Sequence, residues 1–319
     1  MTLEPSGLQA ESGVAVRRVH RASPAALTVR AYLQLVRPAN VVTAAADVLA
    51  GYAVARASGV DASALPWLIA AGCALYAGGV VLNDVFDRSL DARERPERPI
   101  PSGRVPARHA AIAGFALLAL GVAFASQATS AAALLAAAIA IACISYDAWS
   151  KHRGAWGPVN MGLCRGLNLL LGIAAAPAAL AVFWPLGFFG FVYIAAVTVV
   201  SRGEVAGGTR RVAMGSLVAI ALVMAGLAVL ALFPAVPAGP SLVAALLVGL
   251  LAWRVLPAFW RAVRDPRPAS IRVAVRTGVL SLVLLDAVIA TAFAGPAYGA
   301  LVLATALLAL ALARVFAVT

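Results

Sequence analysis

Long apolar runs, most of them about 20 residues, limit most strongly what this chain can fold into. A run of that length crosses the hydrocarbon core of a bilayer as a helix. Because lipid satisfies no backbone N–H or C=O group, only helices and closed barrels span it. The runs lie near residues 39–57, 66–86, 107–127, 130–147, 157–181, 183–201, 212–233, 241–260, 273–293 and 297–317.

These runs predict an all-α, polytopic membrane bundle of nine or ten transmembrane helices. The last two runs are separated only by Ala294, Gly295 and Pro296. They are therefore either an antiparallel pair or one helix followed by a re-entrant or peripheral segment. Hydrophobic residues make up 63% of the chain and charged residues 12%, whereas a soluble domain has a charged fraction of about 25%.

The basic residues follow an alternating pattern that predicts orientation. Fourteen of the 21 Lys and Arg residues beyond residue 36 fall in the connections near 87–106, 148–156, 202–211 and 261–272. Lys and Arg beside membrane helices mark the cytoplasmic side. The pattern therefore places the N-terminus in the cytoplasm and accounts for the net charge of +12. We expect membrane lipid as a partner, and no nucleic acid.

Two regions are predicted. Residues 1–36 contain a basic stretch without a compact apolar core, and we expect a mobile cytoplasmic tail there. Residues 37–319 form the transmembrane domain. We expect an integral protein of a bacterial inner (plasma) membrane.

An acidic motif follows the second apolar run. It consists of Asn83, Asp84, Asp87 and Asp91. Carboxylates at i, i+3 and i+7 share one helix face, and grouped carboxylate oxygens suit Mg²⁺, which takes further ligands from substrate phosphates. The spacing predicts a Mg²⁺–diphosphate site. The alternative is that these Asp residues only cap and solvate a helix end.

An Arg- and Pro-rich segment follows the acidic motif at once. It includes Arg95 and Arg98, each followed by a proline. Proline stops the helix, and guanidinium groups bind phosphate oxygens in pairs. This segment predicts a diphosphate-binding loop. Positive-inside topology explains the same arginines, and both explanations can hold together.

The motif and its sequel, NDVFDRSLDARERPERPIPSG, resemble the first Asp-rich motif of the UbiA superfamily of intramembrane prenyltransferases. Two further elements are similar to the family: Arg37-Pro38-x-Asn40 before the first span, and Tyr146 with Lys151 after the fourth. The resemblance implies a helical bundle around an apolar cavity, transfer of a prenyl group from a prenyl diphosphate to an acceptor, and Mg²⁺ as cofactor.

The residue roles are assigned on this basis. Asp84, Asp87 and Asp91 are the expected catalytic residues and Mg²⁺ ligands. The expected substrate-binding residues are Asn40, Asn83, Arg95, Arg98, Tyr146, Lys151, Arg165, Arg202 and Glu204. The partners are a prenyl diphosphate and a small-molecule or lipid acceptor.

The loop after the sixth run departs from the family pattern. Members usually carry a second Asp-rich motif there, but SRGEVAGG contains one carboxylate, Glu204, and no Asp. This loop resembles the EboC-like branch of the superfamily. Arg202 would supply positive charge in place of a second metal ion. Alternatively, Glu204 is a loop carboxylate paired with a neighbouring Arg.

Charged residues within the runs are candidates for function because a charge inside a bilayer is costly. Arg165 either reaches a diphosphate or pairs with Asp47, and Asp47 is a candidate for orienting an acceptor hydroxyl. Asp286 is expected to have a structural partner, either Arg276 or a neighbouring helix. Asp147 is either a further cation or phosphate ligand or a helix-end charge.

The leading hypothesis is Mg²⁺-dependent prenyl transfer within the membrane. A second hypothesis is a non-catalytic carrier or exporter that keeps the acidic motif as a binding site for a lipid or prenyl diphosphate. The single-carboxylate loop favours the second to some degree. A third, ion-coupled transport through Asp47 and Asp286, ranks last because it leaves the Arg-Pro segment unexplained.

Overall fold

The computed structural model describes residues 24–233 and 241–315. Within these ranges the chain is helical and forms no strand. The first helices are α1 (Pro24–Val36), α2 (Pro38–Arg56), α3 (Leu65–Phe86), α4 (Arg88–Glu94), α5 (Ala107–Ser126), α6 (Ser130–Ala148), α7 (Trp156–Ile173) and α8 (Pro177–Phe183). The remaining helices are α9 (Gly187–Ser201), α10 (Gly203–Ala206), α11 (Arg210–Leu232), α12 (Leu242–Arg264), α13 (Pro268–Leu280), α14 (Leu282–Ala294) and α15 (Pro296–Val315).

Nine helical stretches in the described residues are long and apolar enough to cross a membrane. They confirm the predicted class of fold. In two of them a short irregularity joins successive helices, α8 with α9 and α13 with α14, and a third begins with a short 3-10 helix (Ala62–Ala64) directly before α3. The sequence-based run at 157–181 is divided differently, because α7 ends at Ile173 and α8 begins at Pro177.

Helix α7 is not among those nine, although its ends lie at opposite ends of the bundle. Its first turn packs against Lys151 in the connection that follows α6. Beyond its last residue, the Ala174 carbonyl accepts a 2.8 Å hydrogen bond from the Thr129 hydroxyl, between α5 and α6. Arg165 and Asn168 give α7 a more polar composition than its neighbours. The described chain therefore contains ten segments that run across the bundle.

Helices α2 and α7 pack closely because small residues face each other. A Cβ atom on Gly51 would lie 2.0 Å from the Leu169 carbonyl oxygen, and one on Gly172 would lie 2.2 Å from that of Val48. Such close backbone contact is typical of membrane helices with small residues at their interface. The contact aligns the polar residues of α7 with those of α2.

The last two helices form an antiparallel pair. Gly295, at φ 86°, reverses the chain between α14 and α15. Gly299 packs directly on Thr291 of the preceding helix. Of the two sequence-based alternatives for this region, the structure therefore has the antiparallel pair.

The N-terminal region begins with helix α1 in the described part of the chain. Residues 1–23 of the expected tail lie outside it. Ala31 and Leu35 of α1 are buried in a small apolar cluster with Val81 of α3 and with Ile100 and Val105 of the Arg-Pro segment. Helix α1 thereby holds that segment close to the end of α3.

Candidate functional site

The acidic motif lies where α3 ends, and we call this end of the bundle the motif end. Helix α3 stops at Phe86, Asp87 has φ −85° and ψ 1°, and α4 continues from Arg88. The helix is interrupted, but Asp87 N–H still donates to the Asn83 carbonyl and Asp91 N–H to the Asp87 carbonyl. The sequence-based picture of one continuous helix is therefore only approximate.

The first ion-pair cluster joins Asp84 and Asp91 through two arginines. An Asp84 carboxylate oxygen lies 2.6 Å from Arg37 Nη2 and 3.4 Å from Arg98 Nη1. The same Arg98 nitrogen lies 2.8 Å from Asp91 Oδ2. Both carboxylates are buried. Asp84 and Asp91 therefore face the same side, as their spacing predicts.

The contact of the Arg37 side chain with Asp84 is not predicted by the sequence pattern. Arg37 is the residue between α1 and α2 and has φ 52°, which is uncommon outside glycine. This conformation accompanies the turn that brings its guanidinium to Asp84. The signal was available in the Arg37-Pro38 dipeptide, which the resemblance to the family had marked.

The second cluster is formed around Lys151, the only lysine of the chain. Its Nζ lies 2.6 Å from Asp87 Oδ1 and 3.4 Å from Asn83 Oδ1. Asn83, Asp87 and Lys151, which sequence analysis assigned to the site, are therefore in direct contact. The acidic motif thus divides between two groups of cations.

A cavity of about 300 Å³ extends from the motif end into the bundle. Tyr146 and Ser201 lie on its wall near the motif end, and Gly72 and Asn168 lie deeper. Most of the other lining side chains are apolar, including Leu75, Ile139, Met161, Ile194, Val197, Val275, Val279 and Leu282. Such a cavity suits a hydrocarbon chain whose polar head stays at the acidic motif.

A buried polar network lies at the deep wall of this cavity. Arg165 Nε is 2.8 Å from Asp47 Oδ2, and Arg165 Nη2 donates to the Thr43 carbonyl at 2.8 Å. Asn168 Nδ2 donates to the same Asp47 oxygen at 2.9 Å. The Asp286 side chain of α14 lies within hydrogen-bonding range of Asp47.

This network decides between the alternatives for its members. Arg165 pairs with Asp47, and its guanidinium also contacts Thr43 of α2. Asp286 faces a neighbouring helix rather than Arg276. Since Asp47 and Asp286 are held together with a counter-charge, the geometry indicates a structural network more than a pathway for ions.

The loop with the single carboxylate faces the Arg-Pro segment. Burial raises the pKa of Glu204 above its usual range, and the nearby charges of Arg272 and Arg95 oppose that rise. Arg272 donates to the Glu204 backbone carbonyl at 3.1 Å. The exposed Arg202 guanidinium donates to the Gly154 carbonyl. Glu204 thus has arginine neighbours, but in the described part of the chain its carboxylate forms no ion pair within 4.0 Å, so its pairing with an Arg remains a prediction.

The predicted site residues therefore fall into four positions. Asn83, Asp84, Asp87, Asp91, Arg98 and Lys151 meet at the motif end. Arg95, Arg202 and Glu204 lie on facing loops, and Tyr146 and Arg165 line the cavity. Asn40 is half-buried in the first turn of α2, where its carbonyl accepts a 2.7 Å hydrogen bond from Thr43; its substrate role remains a prediction.

The donors of the acidic motif suit Mg²⁺ in their chemistry. Asp84, Asp87 and Asp91 each present carboxylate oxygens, the ligand type that Mg²⁺ prefers. As placed, one oxygen of each is paired with Arg or Lys. No group of three or more metal-binding side chains in the described residues is arranged to hold one ion. These ion pairs must open before the carboxylates can share a metal.

Residues 44–277 match the model of the UbiA prenyltransferase family. Similar curated proteins are digeranylgeranylglyceryl phosphate synthases of two archaea. That of Methanothrix thermoacetophila is 34% identical over 152 residues, 47% of this chain and 57% of the relative. That of Methanopyrus kandleri is 35% identical over 156 residues, 49% of this chain and 56% of the relative. The chain thus spans little more than half the length of these relatives.

Solved structures share the fold. One from work on digeranylgeranylglyceryl phosphate synthase in membranes has a TM-score of 0.66 at 17% identity and covers 84% of this chain and 99% of that one. A UbiA homologue from Archaeoglobus fulgidus, bound to GPP and Mg²⁺, has a TM-score of 0.56 at 18% identity and covers 86% and 99%. At these identities the likeness establishes the fold alone.

Proposed function

Because the chain belongs to the UbiA prenyltransferase family, we propose that it transfers a prenyl group from a prenyl diphosphate to an acceptor within the membrane. The observation that carries this proposal is that an apolar cavity begins close to the acidic motif, since Asp87 lies within electrostatic range of Tyr146 on the cavity wall. A prenyl diphosphate has a charged head and a hydrocarbon tail, and the site offers a separate environment for each.

The cations of the motif end would bind the diphosphate head. Arg37, Arg98 and Lys151 are held at the motif end through contacts with Asp84, Asp87 and Asp91. Guanidinium groups bind phosphate oxygens in pairs and stay charged. Mg²⁺ bound by the three Asp residues would supply electrostatic stabilisation of the departing diphosphate.

Transfer requires cleavage of the allylic C–O bond, whose electron pair leaves with the diphosphate. The acceptor then forms a bond to the same carbon and loses a proton. The apolar wall beside Tyr146 keeps water away from the reacting carbon. Pre-positioned cations need little reorganisation as charge develops on the leaving group.

The membrane placement follows from the helices, and we propose that the motif end faces the cytoplasm. The support is the concentration of basic residues in the connections at that end, including those near 87–106 and 261–272. A bacterial plasma membrane remains our proposal for the location. The similar curated proteins named above are archaeal.

The test is lipid mass spectrometry with purified protein in bilayers, labelled geranyl or geranylgeranyl diphosphate and Mg²⁺. Lipids with a glycerol phosphate group are the first acceptors to assay, since the similar curated proteins carry the name digeranylgeranylglyceryl phosphate synthase. We expect a labelled product with the wild type. Asp87→Ala should lower turnover by roughly a hundredfold or more, and Asp265→Ala, in the exposed connection after α12, should not.

Unchanged turnover in a folded Asp87→Ala protein would refute the role of the acidic motif. A second candidate function is binding or export of a lipid diphosphate without chemistry. It is favoured by the pairing of each motif carboxylate with a protein cation and by the single carboxylate of the facing loop. Movement of labelled lipid diphosphate across vesicles with no new product would support it.

A further inference from the structure

Asp147 is a buried carboxylate to which sequence analysis gave no definite role. It lies at the end of α6, beside Tyr146 of the cavity wall, and is 4% exposed. Its Oδ2 atom has no hydrogen-bond partner among the residues that the structure describes. The charges that act on it are Lys151, which attracts it, and Asp87 and Asp84, which repel it. Asp147 therefore lies within electrostatic range of the acidic motif.

The Lys151 ammonium occupies a position suited to a cation. It contacts carboxylate and amide oxygens of Asp87 and Asn83, at 2.6 and 3.4 Å, and its side chain is 8% exposed. Hard divalent cations bind to the same oxygen types. The Lys151 ammonium thus occupies a position in which a metal ion would contact the same oxygen atoms.

The charges of the motif end are unequal in number. Its carboxylates are Asp84, Asp87, Asp91 and Asp147, and the cations that form ion pairs with the first three are Arg37, Arg98 and Lys151. One negative charge is therefore in excess when all are ionised. A buried charge without a counter-charge is unfavourable, so this excess favours the binding of a further cation.

The loop that contains Glu204 is poorly suited to supply a carboxylate for this further cation. Glu204 is its single acidic residue, and Arg272 and Arg95 are its charged neighbours. Asp147, in contrast, has only Lys151 as an opposite charge among the groups that act on it. Asp147 on α6 therefore offers a carboxylate of the kind that a second Asp-rich motif would supply from the loop.

We propose that Asp147 is a further metal ligand, which forms a divalent-cation site with Asn83 and Asp87 that Lys151 fills in the ligand-free protein. This inference rests on the proposed function, since a diphosphate is the group to which the displaced ammonium moves. Metal and diphosphate then bind together: the carboxylates exchange Lys151 for the metal, and Lys151 exchanges the carboxylates for phosphate oxygens.

The test measures binding of Mn²⁺, a substitute for Mg²⁺, from the loss of the free-ion signal in electron paramagnetic resonance. Titrations use purified protein with and without geranyl diphosphate. Asp147→Asn should weaken Mn²⁺ binding in the presence of geranyl diphosphate by about tenfold or more. Asp265→Asn makes the same chemical change outside the site and should bind as the wild type does. Thermal unfolding curves verify that each variant is folded.

Lys151→Gln should change the affinities for Mn²⁺ and for geranyl diphosphate in opposite directions. Removal of the tethered cation should tighten Mn²⁺ binding in the absence of geranyl diphosphate and weaken the binding of geranyl diphosphate itself. In Asp147→Asn/Lys151→Gln the gain in Mn²⁺ affinity should disappear. A merely structural role of Lys151 would weaken both ligands together.

The outcomes separate this inference from the proposed function. If Asp87→Asn loses Mn²⁺ binding but Asp147→Asn binds normally, Asp147 is not a ligand and the proposed function stands. If Lys151→Gln does not tighten Mn²⁺ binding, the exchange is refuted. If Asp87→Asn and the wild type bind Mn²⁺ equally, with no effect of geranyl diphosphate, the proposed function fails as well.

Discussion

The buried network at the deep wall of the cavity predicts an unusual pattern of stability. It contains two carboxyl groups, Asp47 and Asp286, and one guanidinium, Arg165. Either carboxylate alone balances the guanidinium. Replacing Asp47 or Asp286 singly by Asn should therefore be tolerated, whereas replacing both should leave a buried Arg165 without a counter-charge.

The magnitudes follow from the contacts. Asp47→Asn keeps an oxygen able to accept from Asn168 and loses a charged contact, at a cost of about 1–2 kcal/mol. Asp286→Asn costs about 1 kcal/mol by the same argument. In the double variant Arg165 cannot release its proton, and breaking a buried ion pair in this way costs about 3–5 kcal/mol. The double variant should therefore lose about 1–2 kcal/mol more than the sum of the single variants.

The assay is reversible unfolding in mixed micelles, with the free energy of unfolding measured for the wild type, both single variants and the double variant. Asp61→Asn/Asp265→Asn is the matched control. Asp61 caps a short helix, where Asn is an equally good cap, and Asp265 pairs with Arg267 at the surface. Additive effects of Asp47 and Asp286 would refute the shared counter-charge.

Two further predictions concern packing and pH. Gly172→Leu should prevent stable packing of α2 on α7, because a Cβ atom at this position would lie 2.2 Å from the Val48 carbonyl oxygen. Gly215→Leu should be tolerated, since a Cβ atom there has open space. Size-exclusion profiles and melting temperatures in detergent measure both variants. Burial raises the pKa of Glu204, so the folded protein retains a proton there that the unfolded chain has released. Stability from this group is full below its ordinary pKa and is lost as the pH rises through the raised value. Glu204→Gln should abolish that part of the loss as the pH rises above the ordinary pKa of a glutamate, and an unchanged melting-temperature profile would contradict it.

The fold was largely predictable from hydropathy because a bilayer imposes one rule on every spanning segment. The prediction was weakest at α7, where Arg165 and Asn168 lower the hydropathy of a helix that still crosses the bundle. Both side chains bind the carboxylate of Asp47 on α2, Arg165 by an ion pair and Asn168 by a hydrogen bond. A window along one helix contains no information about a partner on another, so the boundary at Ile173 was missed.

The site was predictable in its composition and less so in its contacts. The i, i+3, i+7 spacing correctly predicted that Asp84 and Asp91 share a face, since both reach Arg98. It did not reveal that Asp87 turns to Lys151, because the helix is interrupted at Asp87 itself. Arg37 was missed as a partner because it is 47 residues from Asp84 along the chain. Side-chain pairing between distant segments depends on helix packing, which local patterns do not determine.

The ion pairs of the motif end also explain why metal and diphosphate should bind as a unit. A metal ion alone must compete with Lys151 and Arg98 for the carboxylates of Asp87 and Asp91, which are already paired. A diphosphate alone would be repelled by the same carboxylates. When both arrive, each protein charge exchanges one opposite charge for another, so no buried group is left without a partner. An unpaired charge is unfavourable in the low dielectric of a buried site. The site should therefore bind the metal–diphosphate complex more tightly than either the metal or the diphosphate alone.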